Sequence, residues 1–505
     1  MSIDISNARG AKTGEGYIES LRDGREVWLD GKRVDDVTTH PAFSGMVHEL
    51  ARLYDLQYTD EYMDQMTYVS DVTGNRISYS YSLPRTHEDL MKRRRNSEIW
   101  MQESFGQLGR TPDFCSSIVC GWYDLRKHLD TLYPKLAGNA ERFWRFASEH
   151  DVAMTHAIGD PQVDRTSTTR GENRTDNAWI GVGGYAMEDP EDDEATALHV
   201  VKETRDGIIL RGAKQLATLA PLANECLVYL SATFSNRANS EFVQWFSIPM
   251  NTPGLVTVCR EPMSIYPGSW GHPFAGRFEE QDAMMFFNNV LVPWDHVVML
   301  YDAPTAVRYL GRINNLASYS TNIRLHARLR TFVAVVTMLA KANEIDEIRG
   351  VRDLLGELIT YAEMIDLATR GMENGAFMSD GDMINTGDGF AIGAFAAQIS
   401  KRVLEILQII GGMELVSQPS ERDLASEEVR PYLDKLIPSN GLGTAERVRL
   451  FRLAYDLCMS SFGARQEIYE YWHRGDITRN RTTLYMRNNN GQVGERIKDL
   501  ISRPM

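Results

Sequence analysis

Along the chain the spacing of apolar positions changes period twice, which divides it into three zones. Up to about residue 152 the apolar positions recur at helical spacing, once an irregular, charged opening over 16–36 has passed. Trp100, Phe105 and Leu108 share a helix-like stripe that stops at Gly109-Arg110-Thr111-Pro112, since a proline ends or turns a helix. The pattern resumes from Tyr123 to about His150. Between about 153 and 293 the period is that of strands. Residues 199–204 and 208–210 flank Arg205-Asp206-Gly207, where Asp and Gly tolerate the positive φ of a hairpin turn. Residues 227–232, 242–248, 255–258 and 284–292 also read as strands. From 294 onward the period is helical again: Leu354, Leu355, Leu358, Ile359, Ala362 and Ile365 form one stripe. Phe395, Ile399, Val403, Ile406 and Ile410 form another, and Val448, Phe451, Tyr455 and Cys458 a third. Long amphipathic helices with short connections predict an antiparallel bundle. The expectation is an α+β chain: a mainly helical domain over 1–152, a β-rich domain over 153–293 and a helical bundle over 294–505.

The 505 residues exceed what one hydrophobic core organises, which agrees with more than one domain. A net charge of -15, from 69 acidic and 54 basic residues, argues against nucleic acid or an anionic membrane as the main partner. The polar first ten residues show no apolar segment of a secretory signal, and runs such as 332–340 are far shorter than a membrane span. Cys115, Cys120, Cys226, Cys259 and Cys458 are scattered and odd in number, as expected of reduced, buried thiols in a cytoplasm. The acidic stretch 188–194 reads as an exposed loop, and Lys92-Arg93-Arg94-Arg95 as a solvated or ion-paired helix face.

Several chemistries have no signature. There is no phosphate-binding P-loop, no Gly-x-Gly-x-x-Gly after a strand and no Gly-x-Ser-x-Gly elbow. His-Glu-x-x-His and Cys-x-x-Cys are also missing, so no metal site is expected.

Other strings carry more. Residues 17–28 and 33–43, followed by Leu53-Tyr54-Asp55, read as a short hairpin and a proline turn without evident chemistry. Gly109-Arg110-Thr111-Pro112-Asp113-Phe114 sets a permanently charged guanidinium at a helix break, where it can hold a phenolate or another oxygen-rich edge; a structural salt bridge is the plain alternative. His156-Ala157-Ile158-Gly159-Asp160-Pro161-Gln162-Val163-Asp164-Arg165 offers a histidine whose charge can change near neutral pH, although a lone histidine is more often a satisfied structural residue. Thr218 ends Gly212-Ala213-Lys214-Gln215-Leu216-Ala217-Thr218, and by itself reads as a strand former. Gln408-Ile409-Ile410-Gly411-Gly412-Met413 reads equally as a helix C-cap or as a close backbone approach to a ligand. Residues 462–470 and Trp472-His473-Arg474-Gly475-Asp476 follow, and His296 stands after the Pro293-Trp294 pair.

Together, from about Gly16 to Asp476, these strings resemble the 4-hydroxyphenylacetate 3-monooxygenase oxygenase family, the two-component phenol hydroxylases that include chlorophenol monooxygenases. The resemblance implies an acyl-CoA-dehydrogenase-like fold with a β-barrel middle domain, assembled as a homotetramer. It implies an enzyme that takes FADH2 from a separate NAD(P)H:flavin reductase and uses O2 to hydroxylate a phenolic substrate, ortho to its hydroxyl, via a flavin C4a-hydroperoxide. The chain itself shows no nicotinamide fingerprint, which agrees with an external reductant. Arg110, Phe114, His156 and His296 would meet substrate, with Arg110, His156 and His296 catalytic. His156, Ala157, Ile158, Gln162, Val163, Asp164, Arg165, Thr218, Arg465, Arg474, Gly475 and Asp476 would hold FAD. Phe114 replaces the family's usual tyrosine, and the chlorophenol branch carries a histidine like His296; both weigh toward a substituted phenol or an aromatic heterocycle. An acyl-CoA dehydrogenase-type flavoenzyme is the alternative, echoed in Ile468-Tyr469-Glu470, with Tyr471 standing where that family has glycine. A non-enzymatic flavin carrier is a further possibility. A 4-hydroxybutyryl-CoA dehydratase needs cysteine ligands that this chain lacks between His296 and Cys458.

Overall fold

The computed structural model describes residues 3–161, 196–229, 240–263, 270–437, 440–475, 477–488 and 491–502. Helices dominate both ends. Pro112, read from sequence as the end of a helix, is instead the first residue of the next one, Pro112–Leu132. There its fixed φ suits the first turn and its missing N–H costs nothing. The preceding helix, His87–Glu103, is capped by Thr86, and residues 104–111 form the connecting loop. A second expected helix, Asn139–His150, is separated from Pro112–Leu132 by a turn containing Gly138 in the left-handed region. The Lys92–Arg95 run is largely ion-paired: Arg94 meets Glu98, Asp366 and Glu373, while Arg93 is buried.

The middle strands are β1 (Glu26–Leu29), β2 (Lys32–Arg33), β3 (Met154–Ala157), β4 (His199–Glu203), β5 (Gly207–Thr218), β6 (Glu225–Val228), β7 (Gln244–Pro249), β8 (Leu255–Cys259), β9 (Asp282–Pro293) and β10 (Val297–Leu300). They do not close into the expected barrel among the described residues. One sheet runs β2-β1-β8-β9-β5-β4 and a second β10-β7-β6-β3. The first borrows its edge from the N-terminal region, where β1 pairs parallel to β8. Alternation along β5, β8 and β9 points one face of the large sheet to the core, which holds Ile208, Leu210, Leu255, Met285, Phe287 and Val290. The strands of the small sheet are buried almost throughout, as their unbroken apolar character requires.

After 303 the described residues form helices and their connections, with one two-stranded ribbon, Phe377–Met378 with Ile384–Asn385. Asn315–Ala342, Arg349–Asn374, Phe390–Gly411, Thr444–Cys458 and Ser461–Trp472 pack on one another, and the stripes predicted from Leu358, Ala362, Ile365, Ile399, Val403 and Ile406 are buried. Gly411 is the last residue of its helix and Gly412 follows as its C-cap at φ 56°. All five cysteines are buried and unpaired. No described helix is long and apolar enough to cross a membrane.

Candidate active site

The loop 104–111 is pinned so that Arg110 projects from it. Thr111 donates to the buried Asp113 carboxylate at 2.6 Å, and Ser97 donates to the same group at 2.6 Å, which ties the loop to both flanking helices. The Arg110 backbone N–H donates to Glu280 at 2.7 Å. Its guanidinium donates to the Tyr469 hydroxyl at 2.9 Å and lies 4.2 Å from the centre of the Phe114 ring, a cation–π contact. The Arg110 Nε has no partner. Gly109 is required because Tyr469 packs on it: an added Cβ would lie 2.4 Å from the ring.

β3 brings His156 to the same place. The strand pairs parallel to β6, with His156 opposite Leu227. The His156 ring stands edge-on to Phe114, centroids 5.3 Å apart, and its Nδ1 lies 3.0 Å from the Tyr229 hydroxyl. Burial, reinforced by the Arg110 charge, holds the imidazole well below its usual pKa, so it is neutral at neutral pH. Arg110, Phe114, His156 and Tyr229 thus form one cluster. His296 does not join it. Its Nδ1 faces the Ser247 hydroxyl at 3.1 Å, and Ser247 lies opposite Leu227, which in turn lies opposite His156. Cross-strand partners share a face. Ser247 and His156 therefore share a face of the small sheet, two strands apart with Leu227 between them, and His296 touches the sheet at Ser247.

Behind the cluster runs a buried charge network. Arg465 donates to Glu280 at 2.9 Å and to both oxygens of Asp282, at 2.8 and 3.0 Å. Arg260 donates to Asp282 and Glu279. Thr218, at the end of β5, donates its hydroxyl proton to Asp282 at 2.7 Å, so toward any ligand it can only accept. Burial opposes the Asp282 charge, but Arg465, Arg260 and the Thr218 hydroxyl outweigh it and lower its pKa to about 2. Arg465, expected to hold cofactor, meets a carboxylate with each of its three nitrogens; it braces Glu280, and through it Arg110.

The turn after Ser461–Trp472 closes the site. His473 stacks on Tyr469 at 4.1 Å, and Arg474 binds the Asn322 side chain and the Thr321 carbonyl. Gly475 sits at φ 85°, where a side chain would strain the turn. Arg324 pairs with Glu470 at 2.7 Å, Arg328 lies 3.5 Å from the same carboxylate, and Arg110, Arg324 and Arg465 surround the Tyr469 ring. Six guanidiniums (Arg110, Arg260, Arg324, Arg328, Arg465, Arg474) thus stand with four carboxylates (Glu279, Glu280, Asp282, Glu470). Burial and neighbouring charge lower Arg328 and Arg474 to about 10. Nε atoms of Arg110, Arg324 and Arg474 and Nε2 of His473 are buried without partners. A buried excess of donors and positive charge suits a ligand rich in anionic and acceptor atoms. Ala157 is buried and Ile158 half-buried at the end of β3. Gln162, Val163, Asp164, Arg165 and Asp476 lie outside the described residues.

Sequence reasoning missed Tyr229, Glu280, Asp282, Arg324 and Tyr469 as parts of this cluster, and Asn314, whose Oδ1 accepts from the Tyr229 hydroxyl at 3.2 Å. Their signal is spatial: Asp282, Arg324 and Tyr469 are ordinary residues of a strand or helix, and Tyr229, Glu280 and Asn314 of connections between them, until the fold brings them together. Tyr469 alone had a trace, in the string that includes Arg465.

Comparison with known proteins places this arrangement. A solved 4-hydroxybutyryl-CoA dehydratase from N. maritimus, 17% identical, superposes with a TM-score of 0.81 over 98% of this chain and 96% of that one, which shows the class of fold. Models of the N-terminal and C-terminal parts of 4-hydroxyphenylacetate 3-hydroxylase match residues 13–299 and 309–502, and the chain belongs to that family. The oxygenase component of 4-hydroxyphenylacetate 3-monooxygenase from Thermus thermophilus is 32% identical over 98% of each chain. The oxygenase component of a 4-nitrophenol 2-monooxygenase from Rhodococcus sp. is 32% identical over 94% of this chain and 88% of its own. A solved oxygenase component complexed with FAD and 4-hydroxyphenylacetate gives a TM-score of 0.87 at 32% identity, over 97% of this chain and 98% of that one. The expected order of helical, β and helical zones holds; a closed middle barrel is not seen among the described residues.

Proposed function

We propose that this chain is the oxygenase component of a two-component, FAD-dependent aromatic monooxygenase. It hydroxylates a phenolic substrate ortho to the existing hydroxyl, with O2 as co-substrate and FADH2 delivered by an NAD(P)H:flavin reductase. The observation that carries the reading is the Arg110–Phe114–His156 cluster set against a buried excess of guanidiniums. The relatives' names and the FAD-bound neighbour support it. Reduced FAD, when bound, supplies the activation of dioxygen. Arg474, the Gly475 turn, Ala157, Ile158 and the accepting oxygen of Thr218 would hold it, with Gln162, Val163, Asp164, Arg165 and Asp476 assigned by resemblance.

The chain's own residues handle the phenol. The Arg110 guanidinium donates to the phenol oxygen and favours its ionised form. Neutral His156 accepts the phenolic proton, or its hydrogen bond, at a ring nitrogen. Arg110 opposes charge on His156 but stabilises it on the phenol, so proton sharing is set between the two. Phe114 and Tyr229 keep water from this pair. Arg465 acts behind Arg110, and His296 braces the small sheet at Ser247. Within this reading the domains are 1–152, 153–293 and 294–505, bundles assemble into a homotetramer, and the enzyme works in the cytoplasm, where its reductant is made.

Arg110→Ala tests the assignment. We expect hydroxylation to fall at least about tenfold, the loss of one charge-assisted hydrogen bond, while FADH2 oxidation continues and released hydrogen peroxide rises. Unchanged coupling of FADH2 oxidation to product would remove Arg110 from this role.

A further inference from the structure

The His156 ring is held by a chain of contacts whose proton order can be worked out. Asn314 uses its side-chain Nδ2 to donate to the Leu310 carbonyl at 2.8 Å, which turns its Oδ1 toward Tyr229. That oxygen can only accept, so the Tyr229 hydroxyl must donate to it, across 3.2 Å. A phenol has one proton. Toward His156, 3.0 Å away, Tyr229 therefore offers a lone pair, and the proton between them must sit on the imidazole Nδ1. The reverse order would set the Asn314 Oδ1 against a Tyr229 lone pair with His156 and Tyr229 both buried, an unpaired polar contact of the kind folded proteins avoid. Tyr229 remains protonated, since burial raises its pKa well above the ordinary range. The other His156 ring nitrogen, Nε2, has no partner among the described residues.

We infer that Tyr229 and Asn314 are positioning residues that fix His156 as its Nδ1–H tautomer, so that Nε2 is the bare nitrogen presented to a phenolic hydroxyl. A neutral histidine without such a partner divides between two tautomers, and one of them offers the phenol a second donor instead of an acceptor. The relay removes that second state. It also steadies any proton arriving at Nε2, because the Nδ1–H already points at the Tyr229 oxygen. Phe114 takes no part, having no hydrogen-bonding group, so the polar support of His156 comes from the Tyr229 side. The tautomer follows from contacts within the protein; its use on a phenol rests on the function proposed above.

Solid-state NMR of the full-length protein labelled with 15N-histidine tests this, with His156 assigned by its loss in His156→Gln. The expected spectrum has a protonated Nδ1 and a bare Nε2 for His156. Tyr229→Phe is expected to populate the Nε2–H form and to weaken binding of 4-nitrophenol, used as probe, by about tenfold. A bare Nδ1 in the wild-type protein, or a Tyr229→Phe spectrum and 4-nitrophenol affinity that do not change, would overturn the inference. If Tyr229→Phe does not fold, the wild-type spectrum alone decides. A correct tautomer in a protein that binds no phenol would uphold the relay and count against the proposed function instead.

Discussion

Gly109 shows how much of the site depends on what a residue lacks. The Tyr469 ring occupies the place a Cβ would take, and Tyr469 is also the group that receives the Arg110 guanidinium. Gly109→Ala should push the ring away, cost about 1–3 kcal/mol as an overpacked contact, and release Arg110. A lower urea midpoint together with weaker phenol binding is the expected result; a variant equal to the wild type in both would show that Tyr469 does not position Arg110. At this scale the sequence was partly readable. Arg110 and His156 stand in strings long enough to be recognised, and both come to one cluster. Tyr229 and Asn314 were not readable, because a tyrosine after a strand and an asparagine between helices carry no sign of the partner each will find.

Among elements, the strands most needed for the site were the hardest to see. β3 has four residues, too short for its alternation to register, yet it carries His156. β5 runs twelve residues to Thr218, well past the expected end near Leu210, and its bulge near Leu216 breaks the alternation that would have marked it. Among the described residues the expected barrel is two sheets, and the pattern could not show that the N-terminal residues 26–33 add β1 and β2 to the far edge of the larger one. β9 then links sheet to bundle through Asp282, where Arg465 from the helix Ser461–Trp472 and Arg260 after β8 converge. Asp282→Asn removes the charge that both need and leaves guanidiniums buried. We expect a loss of about 3–5 kcal/mol, read as a lowered Tm. A Tm within a degree or so of wild type, about what a negligible change in stability produces, would mean the network is dispensable.

For the molecule as a whole, the three zones read from apolar period reappear in order, since helical and strand periods persist over long segments and survive local error. What period could not give was the way the zones meet. The cluster draws Arg110 from the first, His156, Tyr229 and Asp282 from the second, and Tyr469 and Arg474 from the third, so it exists only in the folded chain. The bundle also keeps large apolar side chains exposed, among them Ile409, Met413, Tyr432, Leu436 and Ile468, a surface that the proposed assembly of bundles would cover. The central claim is oxygen transfer to a phenol at this cluster. Its most direct test is a reaction with 18O2, chemically supplied FADH2 and a panel of phenols, read by mass spectrometry. The account predicts one 18O atom in a hydroxylated phenol made by the wild-type protein, and little or none with Arg110→Ala. A product carrying oxygen from water, or FADH2 oxidised only to hydrogen peroxide with every phenol, would contradict it.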